Sequence, residues 1–156
     1  MTTTLSHDLT YDAPLAEVHA MLMDPAFREQ VCDAQRAVRR TVTIEGGTVE
    51  IDQTQPTQGV PGFAKKFVGE EMNLVQHEEW SGEDGGTVEV VIPGKPGQMG
   101  GTIRLVESGG TTTETVEMTI KVSIPLVGGK LESLVSDLLA RALRIENEVG
   151  RQYLGR

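Results

Sequence analysis

One cysteine, Cys32, stands among 156 residues, so the chain can form no intrachain disulfide. That suits a reducing compartment. Positive charge is scarce as well: 14 Lys and Arg face 23 Asp and Glu, a net charge of −9. So acidic a surface repels a phosphate backbone, which argues against nucleic acid as a partner. The only dense basic patch is Arg36, Arg39 and Arg40, in a stretch that alternates like a strand and sends neighbouring arginines to opposite faces. No run approaches the roughly 20 apolar residues that span a bilayer. The first residues, Met1-Thr-Thr-Thr-Leu-Ser-His-Asp8, have neither the basic nor the apolar segment of a secretion signal. The expectation is a cytoplasmic protein with no stable membrane insertion.

Motifs for several chemistries are also missing. Val127-Gly-Gly-Lys130 lies where a phosphate loop would, between a strand and a helix, but that loop needs Gly at 124 and Ser or Thr at 131. The chain has Ile124 and Leu131 there. His7, His19 and His77 are scattered, and His77-Glu78-Glu79 lacks the second histidine of a zinc helix. Cys32 carries no signature of a nucleophile and reads as a small buried hydrophobe. No Gly-x-Ser-x-Gly elbow occurs. No metal or cofactor is implied.

What the chain has is clear periodicity. Leu5, His7, Leu9 and Tyr11 alternate with polar residues, as in a half-buried strand. Asp12-Ala-Pro14 and Asp24-Pro25 each open a short helix, the first carrying Leu15, Val18 and Leu22, the second Phe27 and Val31. Val38, Val42 and Ile44, then Gly46-Gly47, then Val49 and Ile51 predict a hairpin. Residues 55–67 form a connection with a helical turn at Pro61–Phe67. Strands follow at Met72–Trp80, Thr87–Ile92 and Gly101–Val106, separated by turns at Ser81–Gly86, Pro93–Gly97 and Ser108–Gly110. Then Val116, Met118, Ile120, Val122 and Ile124 alternate with polar residues without an error, which marks a sheet covered on one face. Lys130–Leu154 is the cover: Leu131, Leu134, Val135, Leu138, Ala142, Ile145, Val149 and Tyr153 fall on one helical stripe. The reading is one α+β domain over residues 1–156: strand, two short helices, six further antiparallel strands in a curved sheet, and a long C-terminal helix across it.

That order, with Tyr11-Asp-Ala-Pro14, Glu78-Glu-Trp80 and Lys121-Val-Ser-Ile-Pro-Leu-Val-Gly-Gly-Lys-Leu-Glu132, resembles the START-like or helix-grip superfamily. Birch pollen allergens, polyketide aromatase/cyclases and lipid-transfer domains belong to it. More narrowly, the chain resembles a family of actinobacterial domains of unknown function. The resemblance implies a hydrophobic cavity between the concave sheet face and the long helix. Its wall would be Val42, Ile51, Val90, Ile103, Leu105, Met118 and Ile120 from the sheet, and Leu134, Val135, Leu138 and Ala142 from the helix. The alternative is that these side chains fill the interior at ordinary density.

Polar residues on inward-pointing positions are the remaining candidates. Arg40 shares a face with Val42 and Ile44, and Gln76 and Glu78 share one with Leu74 and Trp80. A buried arginine needs a carboxylate, and Glu78 is the expected partner, the pair orienting a ligand's polar end or doing acid–base work. If that end of the sheet is wet, both simply reach water. Trp80 is read as core packing or ligand stacking. Phe63 and Phe67, with Lys65 and Lys66, form a cap on the sheet end, a gate, or a small membrane patch. The leading expectation is a binder of a small hydrophobic molecule, lipid or polyketide-like. A cyclase or dehydratase using the same pocket, or an interaction module with a filled core, are the alternatives.

Overall fold

A computed structural model describes residues 2–57 and 59–155. Its elements are β1 (Thr3–Tyr11), α1 (Leu15–Leu22), α2 (Pro25–Ala34), β2 (Arg39–Glu45), β3 (Thr48–Pro56), α3 (Gly62–Val68), β4 (Glu71–Gly82), β5 (Gly85–Val91), β6 (Gln98–Ser108), β7 (Thr111–Lys121) and α4 (Gly128–Leu154). The strands form one antiparallel sheet in the order β1-β7-β6-β5-β4-β3-β2. This is the expected helix-grip arrangement.

Local chemistry explains most boundaries. Gly46 and Gly47 have φ of 56° and 89°, and a two-residue hairpin of this twist needs positive φ at both positions, which glycine adopts without strain. Asp24 caps α2 by accepting a hydrogen bond from the Ala26 N–H (2.9 Å), with Pro25 next. The same carboxylate accepts a hydrogen bond from the Tyr153 hydroxyl on α4. Asp24→Ala is therefore expected to cost about 1 kcal/mol or slightly more, read as a lower urea midpoint.

The structure moves several boundaries: β6 starts at Gln98 rather than Gly101, and β7 runs Thr111–Lys121, so Val122 and Ile124 of the expected alternation lie beyond the strand. The turn expected over Ser81–Gly86 contracts, because β4 runs on to Gly82 through an irregularity after Trp80 and β5 starts at Gly85. The long helix begins at Gly128, two residues before the expected start.

The helix stripe is also rotated. The α4 apolar side chains packed on the main core are Val135, Leu139, Leu143, Val149 and Leu154, and Leu131 is buried at the start of the helix. Leu134, Leu138, Ala142 and Ile145 are half-buried too but are not packed on that core. The line facing the sheet runs through Leu139, Leu143, Glu146 and Gly150 by helical spacing. Two of those four are not apolar, so counting apolar residues selects the neighbouring line. A Cβ on Gly150 would lie 2.5 Å from the Tyr11 ring. Only a residue without a side chain lets α4 settle onto Tyr11 there.

Candidate functional site

In an antiparallel pair, facing residues point to the same side, so the register lays the concave face out in rows. One row reads Ile44, Val49, Glu78, Val88, Gly101, Met118, Leu5 from the β2 edge to the β1 edge. The row beside it reads Val42, Ile51, Gln76, Val90, Met99, Ile120, Thr3. A carboxylate therefore sits at the middle of an apolar surface, and Glu78 is 1% exposed.

Its partner is Arg28 on α2, itself 3% exposed. The guanidinium is bidentate: Nη1 donates to Glu78 Oε2 at 3.0 Å and Nη2 to Oε1 at 2.7 Å. Nε donates to the Leu22 carbonyl at 2.8 Å, which locks the fork in place. Gln76 Nε2 (2.5 Å) and Trp80 Nε1 (2.9 Å) donate to the same carboxylate, so four donors converge on it. Burial works against the Arg28 charge, but Glu78 and Glu146 outweigh it and hold the guanidinium above its usual range. Trp80 is half-buried, with its ring edge-on to His19 at 5.4 Å.

Two further carboxyl groups share this interior. Glu114 on β7 lies opposite Leu9 and Leu105 and is 2% exposed. Its Oε1 has no hydrogen-bond partner among the described residues. Burial, then the nearby Glu146 carboxylate, push its pKa well up, with Arg28 opposing. Glu146 on α4 is pushed up to about 7, by burial first, with Arg28 opposing and Glu78 reinforcing. The Tyr11 hydroxyl is buried without a well-formed hydrogen bond, and burial and Glu114 raise its pKa. One guanidinium thus faces three carboxyl groups. Burial shifts two of them, Glu114 and Glu146, toward their protonated forms.

Arg40, expected beside Glu78, is elsewhere. It points to the predicted face, but β2 is the edge strand and Arg40 lies four residues from the Glu78 row, about 13 Å along the strand. It binds Asp33 instead, Nε to Oδ1 at 2.9 Å, with Glu29 at 3.4 Å. That hydrogen bond holds Asp33 below the usual carboxylate range. Of the other expected residues, Ile51, Val90, Ile103, Leu105, Met118 and Ile120 are buried. Val42, Leu134, Val135, Leu138 and Ala142 are half-buried, and Gln35 on α2 donates to the Ala142 carbonyl at 3.1 Å. The Cys32 thiol is buried and pushed up to about 11 by that burial, the state of a packed hydrophobe rather than a nucleophile.

Sequence reasoning missed Arg28, Glu114 and Glu146. Each had a signal. Arg28 falls with Asp24, Phe27 and Val31 on one face of α2, and Glu114 extends the inward alternation of Val116, Met118 and Ile120 by one step. Glu146 continues Leu139 and Leu143.

Two grooves open elsewhere, both to solvent. One of about 730 Å³ wraps the start of β2, with Asp33, Val38, Arg39, Arg40, Asp52 and Asn73 among its lining residues. The other, about 460 Å³, lies between the β7–α4 connection and the first turn of α4. Among the described residues no group of three or more His, Cys, Asp or Glu could hold a metal ion, and no helix is long and apolar enough to cross a membrane.

Solved structures share this fold. An aromatase/cyclase, Zhui of Streptomyces sp. R1128, superposes with a TM-score of 0.72 at 13% identity, over 100% of this chain and 95% of that one. Norcoclaurine synthase of Thalictrum flavum gives 0.64 at 17% identity, over 96% of this chain and 87% of that one. The START-like assignment thus holds at the level of fold. In sequence, the uncharacterized protein Rv0481c of Mycobacterium tuberculosis H37Rv is 31% identical over 153 residues, 87% of each chain. A family model described as "Protein of unknown function (DUF2505)" matches residues 6–154, and the chain belongs to that family.

Proposed function

We propose that the chain binds a small, largely apolar molecule between the concave sheet face and α4, with the molecule's polar group held at the Arg28–Glu78–Gln76 cluster. One observation carries this reading: a bidentate ion pair with two further donors at the centre of an apolar sheet face. Taking both charges out of water costs several kcal/mol, and an apolar pair of the same volume is often as stable or more so. Stability alone therefore gives little reason to keep it. A ligand's polar group gives one, because a fixed buried fork recognises a hydroxyl, carbonyl or carboxyl directionally. Inward-pointing Leu74, Gln76 and Trp80 on β4, and Val135 and Leu139 on α4, are only half-buried, as they would be beside a space that a guest completes. The aromatase/cyclase and the synthase named above support the reading by analogy of fold.

Trp80 is the only tryptophan and bonds Glu78 directly, so it reports on the site. Titrating the protein with medium-chain fatty acids and with polycyclic aromatic phenols should change its emission saturably, with a Kd in the micromolar range. Val135→Phe, which adds bulk on the sheet side of α4, should weaken that binding at least about tenfold. Absence of saturable binding across both sets, with no small molecule extracted from protein made in a mycobacterial host, overturns the proposal.

A second reading, turnover of the bound molecule, has its own support. Glu146, pushed up to about 7, sits in the range where a carboxyl both gives and takes a proton at neutral pH. Glu146→Gln would then abolish product formation and leave binding within a factor of about three.

A further inference from the structure

The chain has five lysines: Lys65, Lys66, Lys95, Lys121 and Lys130. The topology gathers all of them at one end of the molecule. Strands alternate in direction, so the β3–β4, β5–β6 and β7–α4 connections share an end, and the β2–β3, β4–β5 and β6–β7 hairpins share the other. Lys65 and Lys66 lie on α3, Lys95 in the β5–β6 connection, and Lys121 and Lys130 flank the β7–α4 connection. Among the described residues no lysine is in an ion pair. Acids stand there as well. Glu70 and Glu71 lie there, Asp33 and Asp52 stand at the start of β2 beside Arg39 and Arg40, and Glu132 is buried, accepting hydrogen bonds from the Val122 N–H and the Thr3 hydroxyl. The opposite end carries Glu45, Glu83, Asp84 and Glu107 at its hairpins. A protein of net charge −9 is thus polarised, with a basic end.

Exposed apolar side chains stand on that basic end. Leu126 is fully solvent-exposed, and Phe63 is 38% exposed on α3. Leu126 also has φ of 72°, a left-handed backbone that leucine adopts only under strain. Folding gains nothing from it: the side chain packs on nothing, and glycine would relieve the strain. A strained, fully exposed leucine among lysines makes sense as a contact outside the molecule.

We propose that this end docks on an anionic lipid bilayer, with Leu126 and Phe63 entering the interface and the lysines meeting the headgroups. An acidic protein would also attract lysines, but single apolar tips projecting from separate loops match a deformable interface better than a fixed protein surface. Each basic residue near an anionic leaflet strengthens binding by about fivefold at physiological salt, and one or two apolar tips add to that. The acidic remainder of the chain opposes every other orientation, so docking presents this end alone.

The test uses the full chain and sedimentation with vesicles of phosphatidylserine and phosphatidylcholine, or of phosphatidylcholine alone. Wild type should bind the mixed vesicles, at least about tenfold more weakly on the neutral ones and in high salt. The triple variant Lys66→Glu, Lys95→Glu, Lys130→Glu should lose at least about tenfold. Arg104→Glu, Arg141→Glu, Arg144→Glu makes the same change in net charge on exposed positions away from that end, and should lose much less. Leu126→Gly should weaken binding about fivefold or more while thermal stability stays level or rises. Wild type that ignores phosphatidylserine overturns the proposal, whether the lysines serve an acidic protein or nothing. So does an equal loss in the two triple variants, or a Leu126→Gly variant that binds as wild type does.

Discussion

Glu78→Ala is expected to lower the free energy of unfolding by about 3–5 kcal/mol, the cost of breaking a buried pair from one side. The variant leaves the Arg28 guanidinium buried with no carboxylate against its fork, and leaves Gln76 Nε2 and Trp80 Nε1 without their acceptor. Truncation also opens a void where the side chain lay. The double variant Arg28→Met, Glu78→Leu separates these effects, because it removes both charges and keeps the volume. It should recover the part of the loss due to the unpaired charge and the void, leaving about 1–2 kcal/mol for the Gln76 and Trp80 donors that still lack their acceptor. Urea unfolding followed by circular dichroism measures all three proteins. A single variant that costs under about 1 kcal/mol would mean that water solvates Arg28 in its place, and that the pair is not a buried element. If the pair serves recognition, the double variant is the informative protein: stable, apolar at the centre, and unable to hold a ligand's polar group.

The fold was legible because its signals are local and repetitive. Strict alternation over Val116–Ile124 and a helical stripe from Leu131 onward each need only neighbouring residues to be read, and Pro14, Asp24-Pro25 and Gly46-Gly47 mark boundaries by their own backbone chemistry. Part of the buried polar cluster was legible too, since Glu78 and Trp80 sit on an inward-pointing line of β4. The partner was not. Arg40 and Arg28 look equally available in sequence, and only the three-dimensional arrangement places Arg40 on an edge strand and packs α2 against β2 and α4 so that the Arg28 side chain reaches Glu78. The same limit hid Glu114 and Glu146. A charged residue on an apolar line reads as an end of the pattern unless the third dimension shows the line continuing past it, as Leu143 and Gly150 continue past Glu146. The rotation of the α4 stripe has the same origin, because the sheet-facing line contains the residues that apolar counting discards.

Those two carboxyl groups carry the remaining large effect, a fall in stability as pH rises. A carboxyl whose pKa is raised by folding keeps its proton in the native state after the unfolded chain has released it. Its contribution is complete below the unfolded value and is lost as pH climbs through the folded one. For Glu146 that window runs from 4.5 to about 7, and Glu114, raised well above 4.5, acts in the same direction. Asp33, Glu79 and Glu132 act in the opposite sense, but their shifts lie below 3.8 and 4.5, so they are spent before the window opens. One proton retained is worth about 1.4 kcal/mol per pH unit, and Glu146 is half-buried on α4, which tempers its share. Stability is therefore expected to drop by about 2–4 kcal/mol between about pH 5 and pH 8. Glu146→Gln should flatten the slope over the lower part of that range. Glu114→Gln, neutral at every pH, should flatten the slope further and raise stability at about pH 8. Urea midpoints across the range measure this directly. A wild-type profile level from about pH 5 to 8, or a slope that survives in the double glutamine variant, would place the charge of these groups in water and remove the case for a buried acid cluster.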